Sequence, residues 1–561
     1  MQPLTLVALV VAFLGFALLT LFNSLKSLSA WRDHKSSEPP GPALVPWVGR
    51  IHDLPIELMW TKFYEWAQTY GPIYRTTMLG ANFLIISDEK IAEDLLVKRA
   101  KTYSDRPAMR SLFDSKSTNG TMEYLPLMGK NQYWARQRKF SHAYLMECTN
   151  AHYNGALYFE SKRWLHRILE DPDNFAFSLE DMCAKVMTQL AWDEPELSEY
   201  CCKSAWGLLT QMSPAGPISN VITPLWDLPF HINPWKIAER KRHDEQNAWW
   251  LANLTRTREK LARGEARPSM TRTYLQGERT GGLSGDYEAS CAIGMMALVG
   301  IFTVAGPLYY FLLAMVHHPE WQKKCQEEID TACNGRQPEL TDMPNLPILR
   351  ACIKETMRWR PNVPTGVAHE AEVDGFYEGY FIPKGTRILP LDYAFCRNET
   401  KYPDAEHYRP ERWLEAGWPT FQAPLTQFPD IMGFHSFGFG QRACLGMSLT
   451  RDETLIATGA LLWGFNLDFK KDAAGKSIDA SITKSNSLLI VKPDPYEMAF
   501  TPRSAEKRER IKTEWAEESA RDAKERAEFI ANAKHARTTV PISYHEKAEL
   551  SASGASTAVS A

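Results

Sequence analysis

From Pro3 to Phe22 the chain reads PLTLVALVVAFLGFALLTLF, apolar throughout and free of charged side chains. That is about the ~20 residues a bilayer-spanning helix needs, and it predicts a transmembrane anchor over 3–22. Lys26, Arg32, His34 and Lys35 follow the run, which places the rest of the chain on the cytosolic side by the positive-inside rule. A cleaved signal peptide is the rival reading, but no Lys or Arg precedes the run and its apolar core is long. A Pro-rich linker follows over 23–45, stiffened by Pro39, Pro40 and Pro42. Next, PIYRTTML and NFLIISD alternate like strands of a small sheet, and helical patterns dominate from Glu89 to Arg360. Tyr380–Leu391 reads as strand and turn again. Within the helical part, Cys291–Val316 carries no charged residue but contains Gly300, Gly306 and Pro307. By length it is a second membrane span, a buried core helix or the wall of a site. After Phe500 the sequence is charged and helix-prone, ending in SASGASTAVSA. The segment 501–561 is expected to be a solvated helix followed by disorder, with a partner-binding helix as the alternative. The fold class that results is mainly α with small β-sheets (α+β), in one large domain over 46–500.

Composition narrows the function. With 561 residues, 44% hydrophobic and 11% aromatic, the chain has ample material for a large core. A formal charge of −3 gives no basic bias, so nucleic acid is not expected as a partner. No phosphate-binding loop or dinucleotide fingerprint is present, so any reducing equivalents come from another protein. Ten cysteines without a Cys-x-x-Cys pair suit a reducing compartment. The Asn-x-Thr sequons at Asn119, Asn253 and Asn398 are then chance matches.

The chemistry concentrates in FGFGQRACLG, Phe437–Gly446. A thiolate that ligates a large flat metal-containing ring must stay ionised, so N–H groups must point at it. Gly438 and Gly440 permit the tight turn that aims such donors, and Gly446 lets the following helix lie close to the ring. Arg442 can pair with an acidic substituent of the cofactor. The combination Phe-x-x-Gly-x-Arg-x-Cys-x-Gly resembles the haem-ligand signature of the cytochrome P-450 family, position by position. The resemblance implies haem b as cofactor, with Cys444 as the axial thiolate that binds the metal. It also implies that Phe437 packs near the ring, that Gly440 and Gly446 shape the loop, and that Arg442 meets a propionate.

Other segments agree. KETMRWRP sets Glu355 and Arg358 three apart on one helix face, and the family layout adds Arg412 of HYRPERW to form a buried ion network. YWARQRKF places Trp134 and Arg138 one turn apart, similar to the family's propionate-binding pair, and His369 occupies a position that often holds a further propionate ligand. His318–Pro319 set the register of the apolar helix, so the family's proton-delivery pattern falls on Val299-Gly300-Ile301-Phe302-Thr303-Val304. Gly300 and Thr303 match it as catalytic positions; Phe302, where an acid is usual, and Val304 do not. Pro307 cannot bond the carbonyl of Thr303, which kinks the helix or frees that oxygen for water.

By the resemblance the fold is the cytochrome P-450 fold, one haem domain with an N-terminal transmembrane helix. The expected activity inserts one atom of O2 into a small, mostly apolar or aromatic molecule, as in fungal oxidases of secondary metabolism. Electrons would come from an NADPH-dependent flavoprotein reductase, with cytochrome b5 a second donor, at the endoplasmic reticulum membrane. Substrate-facing walls are expected between Arg106 and Tyr133, around Trp206–Trp235, at Met296, Val299 and Gly300, in Asn362–Val367, and in the hairpin near Ser485–Leu488. Two alternatives are oxidation without net oxygen insertion, suggested by Phe302, and a non-catalytic haem sensor.

Overall fold

The computed structural model describes residues 37–539 except 46–47, 56, 113–120, 152–153, 214–224, 227 and 278–280, together with Gly15. The expected anchor over 3–22, most of the linker, the low-complexity end and Asn119 lie outside the described residues.

Helices carry most of the fold. In chain order the longer ones are α1 (Met59–Tyr70), α2 (Gln132–Ala151), α3 (Asn154–Glu170), α4 (Phe175–Trp192) and α5 (Ser198–Met212). They continue with α6 (Pro234–Ala262), α7 (Asp286–His317), α8 (Pro319–Ala332), α9 (Pro347–Trp359), α10 (Met447–Gly464) and α11 (Ala505–Thr539). The start of α6 follows from side-chain chemistry. Asn233 Oδ1 accepts from Lys236 N at 3.1 Å and Pro234 opens the first turn.

The central helix is α7. Its 32 residues span about 48 Å at the usual rise, and α4, α5, α6, α9 and α10 pack around it. Its most apolar stretch is 83% buried inside the protein. A helix apolar on every side needs neighbours on every side, so the run is a core helix and not a second membrane span. The helix runs through Pro307 without a break.

The sheets are small. β1 (Ile73–Met78) and β2 (Ala81–Ile86) form a hairpin across Leu79 and Gly80, both at positive φ (47° and 83°), as a two-residue turn between twisted strands requires. Of the later strands, β3 (His369–Glu370), β4 (Gly375–Tyr377), β5 (Tyr380–Ile382) and β6 (Arg387–Pro390), the first and last join this hairpin in the order β1-β2-β6-β3. β2 and β6 run parallel with Phe83 opposite Arg387, and His369 of β3 lies opposite Ile388. The expected strand and turn at 380–391 is two strands in two sheets, because β5 pairs with β4 and β6 with β2.

Near the end, β7 (Phe465–Phe469) pairs with β8 (Met498–Pro502), so the boundary expected at residue 500 falls inside a strand. The helix expected after it is docked instead of solvated over its first turns. Ile511 is 2% exposed and reaches the bare Cα of Gly464. Trp515 packs on Phe159 with ring centroids 5.3 Å apart, and Arg163 caps its ring. Lys162–Glu518 (2.6 Å) and Arg526–Asp193 (3.5 Å) tie α11 to the body. Sequence alone hid this because Ile511 and Trp515 are isolated apolar positions in a charged run.

The Glu355 network is present and fully buried. Arg358 donates to both Glu355 oxygens (2.7 and 2.9 Å), and Arg412 Nε and Trp413 Nε1 donate at 3.0 Å each. The remaining Arg358 N–H groups go to the carbonyls of Cys396, Ala405 and His407. A buried ion set is tolerable because its donors and acceptors are matched.

Candidate functional site

One interior cavity of about 310 Å³ collects most of the residues singled out in the sequence. Thr303 and Gly300 come from α7, Trp134 and Arg138 from α2, His369 from β3, and Phe437, Arg442, Cys444 and Gly446 from the loop before α10. Gly440 does not line it. Its φ of 54° and its contact with the Leu96 carbonyl, 2.5 Å from where a Cβ would sit, make it the turn that shapes the loop.

At the cavity floor is Cys444. It is enclosed by protein atoms, and the surface it still exposes faces the cavity. Its sulfur accepts from the N–H of Gly446 at 3.3 Å, and its own N–H donates to the Phe437 carbonyl at 2.8 Å. Burial pushes the thiol up, against the pull of the Gly446 N–H and the Arg138 charge. Arg138 donates to the Ala443 carbonyl at 2.7 Å.

Along one rim lies a concentration of positive charge. Arg106 is spent on three carbonyls, those of Pro126, Val367 and Ala368. Arg442 donates Nε to the Ser104 carbonyl at 2.8 Å and lies over the Trp134 ring at 4.3 Å. Both its terminal nitrogens are buried without a hydrogen-bond partner, Asp105 being 3.6 Å away. Burial, with Arg138 adding to it against the pull of Asp105, pushes Arg442 down to about 10. His369 is 2% exposed, its Nδ1 has no partner, and burial with Arg106 and Arg442 holds it well below its ordinary value. This rim of guanidinium charge, with the spare Arg442 N–H groups and one neutral imidazole, awaits an anion.

Above the floor the walls are apolar. Leu208, Leu209 and Met212 of α5, Met296 and Val299 of α7, and Val363 and Val367 all face in. Two expected walls shift. Trp206 is not on the wall but packs edge-on against Phe302 at 5.6 Å, with the Lys492 ammonium over both rings. The hairpin contributes Leu489 and Ile490 and not Ser485–Leu488. The space left by Gly300 is taken by Met187, whose sulfur lies 2.4 Å from where a Cβ would sit. Thr303 Oγ1 donates to its own helix, to Val299 O at 2.6 Å. The carbonyl that Pro307 cannot serve accepts from Asn362 Nδ2 at 3.2 Å.

A second cluster competes for attention: Asp392, Cys396 and His435 hold ligand atoms within 4.8 Å of one another. His435 Nδ1 meets Asp392 Oδ1 at 2.6 Å, and Ser436 donates to Oδ2 at 2.8 Å. Cys396 is fully buried and off the cavity wall, and burial together with Asp392 pushes its thiol well up. These groups satisfy one another and brace the segment ahead of Phe437.

The cytochrome P450 family model matches residues 39–500. The chain belongs to the cytochrome P450 family. Among curated P450 proteins it is 30% identical over 509 residues to the monooxygenase virE of Hypocrea virens, covering 89% of this chain and 92% of that one. The monooxygenase fogE of Aspergillus ruber is 28% identical over 517 residues, 90% and 95% of the two chains. Monooxygenase 58 of Postia placenta is 29% identical over 490 residues, 84% and 89%. The P450 cofactor is a haem bound through a cysteine thiolate, and the cavity fits one: a sulfur on the floor, apolar walls, and unmatched Arg442 N–H groups on the rim for its carboxylates. From sequence, Arg106 is only the start of an expected substrate-facing loop, without a charge role at the rim. It lies in a loop, YSDRPAMR, with no periodicity, and only the fold sets it beside Arg442.

Proposed function

We propose that this P450 is a haem-thiolate monooxygenase that inserts one atom of O2 into a mostly apolar or aromatic small molecule, a secondary metabolite. The observation that carries the reading is the Cys444 sulfur on the floor of an apolar cavity with three guanidinium groups at one edge. Bound there, the haem supplies the iron at which dioxygen is activated, and the thiolate favours O–O cleavage. The chain does the rest. Cys444 would be the metal ligand, with the Gly446 N–H and the Arg138 charge favouring its thiolate against the upward push of burial. Arg442, Arg138, Trp134 and His369 would hold the carboxylates, with the Arg106 charge beside them, and Phe437 would pack beside the ring. Thr303 carries the hydroxyl that moves protons to the reacting oxygen, while the apolar walls exclude bulk water. Electrons arrive from a separate NADPH-dependent flavoprotein reductase, with cytochrome b5 a second donor. The apolar run Pro3–Phe22 anchors the enzyme in the endoplasmic reticulum with this cavity on the cytosolic side. Asn253, 2% exposed on α6, offers no glycosylation site to the folded chain.

Reduction under carbon monoxide tests the ligand. The wild-type protein is expected to give a thiolate-type spectrum, and Cys444→Ala to lose it; an unchanged spectrum in the variant would sink the assignment. A second reading, oxidation without net oxygen insertion, is favoured by Phe302, whose ring sits against Trp206 where an acid is usual. Turnover under labelled dioxygen separates the two, because label retained in the product removes the second.

A further inference from the structure

Helix α7 is completed at one point by a residue from elsewhere in the fold. Pro307 has no N–H, so the carbonyl of Thr303 lacks its partner four residues on. Asn362, three residues beyond α9, fills the gap with Nδ2 at 3.2 Å. Chemistry fixes the orientation of that amide: a carbonyl oxygen only accepts, so the nitrogen must face it. Gly306 makes the room, since a Cβ there would lie 2.1 Å from Asn362 Oδ1 and 3.1 Å from the Val491 carbonyl. The backbone of Asn362 is pinned in turn, its carbonyl accepting from Val491 N at 2.8 Å.

The arrangement has a cost that shows what it is for. Asn362 Oδ1 is buried without a partner, an unfavourable state that a leucine of similar size would avoid. What leucine cannot do is donate to Thr303. Asn362 lines the cavity together with Thr303 and Pro307. With Phe302 and Val304 flanking it, Thr303 carries the one hydroxyl of this turn, so the placing of that turn matters more here than where an acid stands beside the Thr.

Resting on the haem-thiolate reading for what Thr303 does, we propose that Asn362 is a positioning residue. It supplies the hydrogen bond that Pro307 cannot make, and so fixes the turn that presents Thr303 to the cavity.

The test uses the full-length, haem-loaded protein and three variants: Asn362→Leu, Pro307→Ala, and the two combined. Asn362→Leu is expected to speed amide hydrogen exchange at Val304–Gly306 by roughly tenfold, as local opening becomes easier. With an NADPH-dependent flavoprotein reductase and no substrate, it should also raise the hydrogen peroxide released per NADPH consumed severalfold. The Pro307→Ala change restores a backbone N–H, so the double variant should return both readouts toward wild type. A residue that merely fills space would not be rescued by a change on the facing helix. Unaltered exchange in Asn362→Leu, or a double variant no better than the single one, overturns the proposal. If Asn362→Leu does not fold, a folded double variant supports the proposal and an unfolded one overturns it. Hydrogen exchange does not depend on the haem reading: a wild-type protein without a thiolate-type carbon monoxide spectrum would defeat the proposed function while leaving the role of Asn362 to be decided by exchange.

Discussion

Arg442 shows how one side chain records what the site is built to hold. A guanidinium rarely keeps two buried nitrogens without a partner, and here Arg106 and Arg138 add charge of the same sign nearby. Removing Arg106 or Arg442 is therefore expected to reduce haem retention; haem content per chain after purification, for Arg106→Ala and Arg442→Ala, measures it, and full occupancy in both would show that the rim is not the carboxylate site. Glu453 on α10 gives a second residue-scale expectation. Both its oxygens are buried, and burial, against a hydrogen bond with the Cys183 thiol, pushes the acid up to about 8. The folded chain thus holds a proton that the unfolded chain releases near 4.5. Stability from this group is full below that value and falls as pH rises to about 8. Unfolding midpoints of wild type and Glu453→Gln should diverge with rising pH across this window, the variant becoming relatively more stable. A constant difference would mean that Glu453 is already ionised when folded. Residues fixed by a local motif, such as Cys444 and Arg442, were legible in the sequence. Arg106 and Asn362 were legible only as the ends of expected substrate-facing segments, and what each does there was not, since each acts across more than fifty positions of chain on a partner that only the fold brings near.

At the scale of elements, legibility followed periodicity. The alternating segments became β1 and β2 and the uncharged run became α7, because burial on one face or on all faces leaves a pattern. Pairing was less visible, since β5 and β6 adjoin in sequence yet belong to different sheets. The docking of α11 was invisible for a different reason: two apolar contacts, at Ile511 and Trp515, anchor a helix that is otherwise charged. Trp515→Ala is expected to destabilise the protein by roughly 3 kcal/mol, at the lower end for a large aromatic whose site is partly open. Chemical denaturation measures this, and a loss well under 1 kcal/mol would mean that the helix contributes little to the fold.

For the whole molecule, the Glu355 network joins α9 to the segment that leads toward the Cys444 loop. Arg358 and Arg412 share one carboxylate, all three charged side chains at 0% exposure. Glu355→Ala would leave two buried guanidinium groups facing each other, a loss of about 3–5 kcal/mol by the usual penalty for an unpaired buried charge, a large share of the stability of a folded protein. Soluble yield and haem content should fall together, while a fully loaded, cooperative variant would show the network to be dispensable. The docked end of the chain carries a further consequence. Among the described residues, the last ion pair from α11 to the body is at Arg526, and the stretch from Ala527 to Asn532 is mostly exposed. Limited proteolysis should therefore shorten the chain in steps from its carboxyl end and stall near Arg526. A fragment trimmed back to the family boundary at residue 500 would instead split β8 and uncover the aromatic surface at Phe159, so that it tends to aggregate where the longer fragment stays in solution.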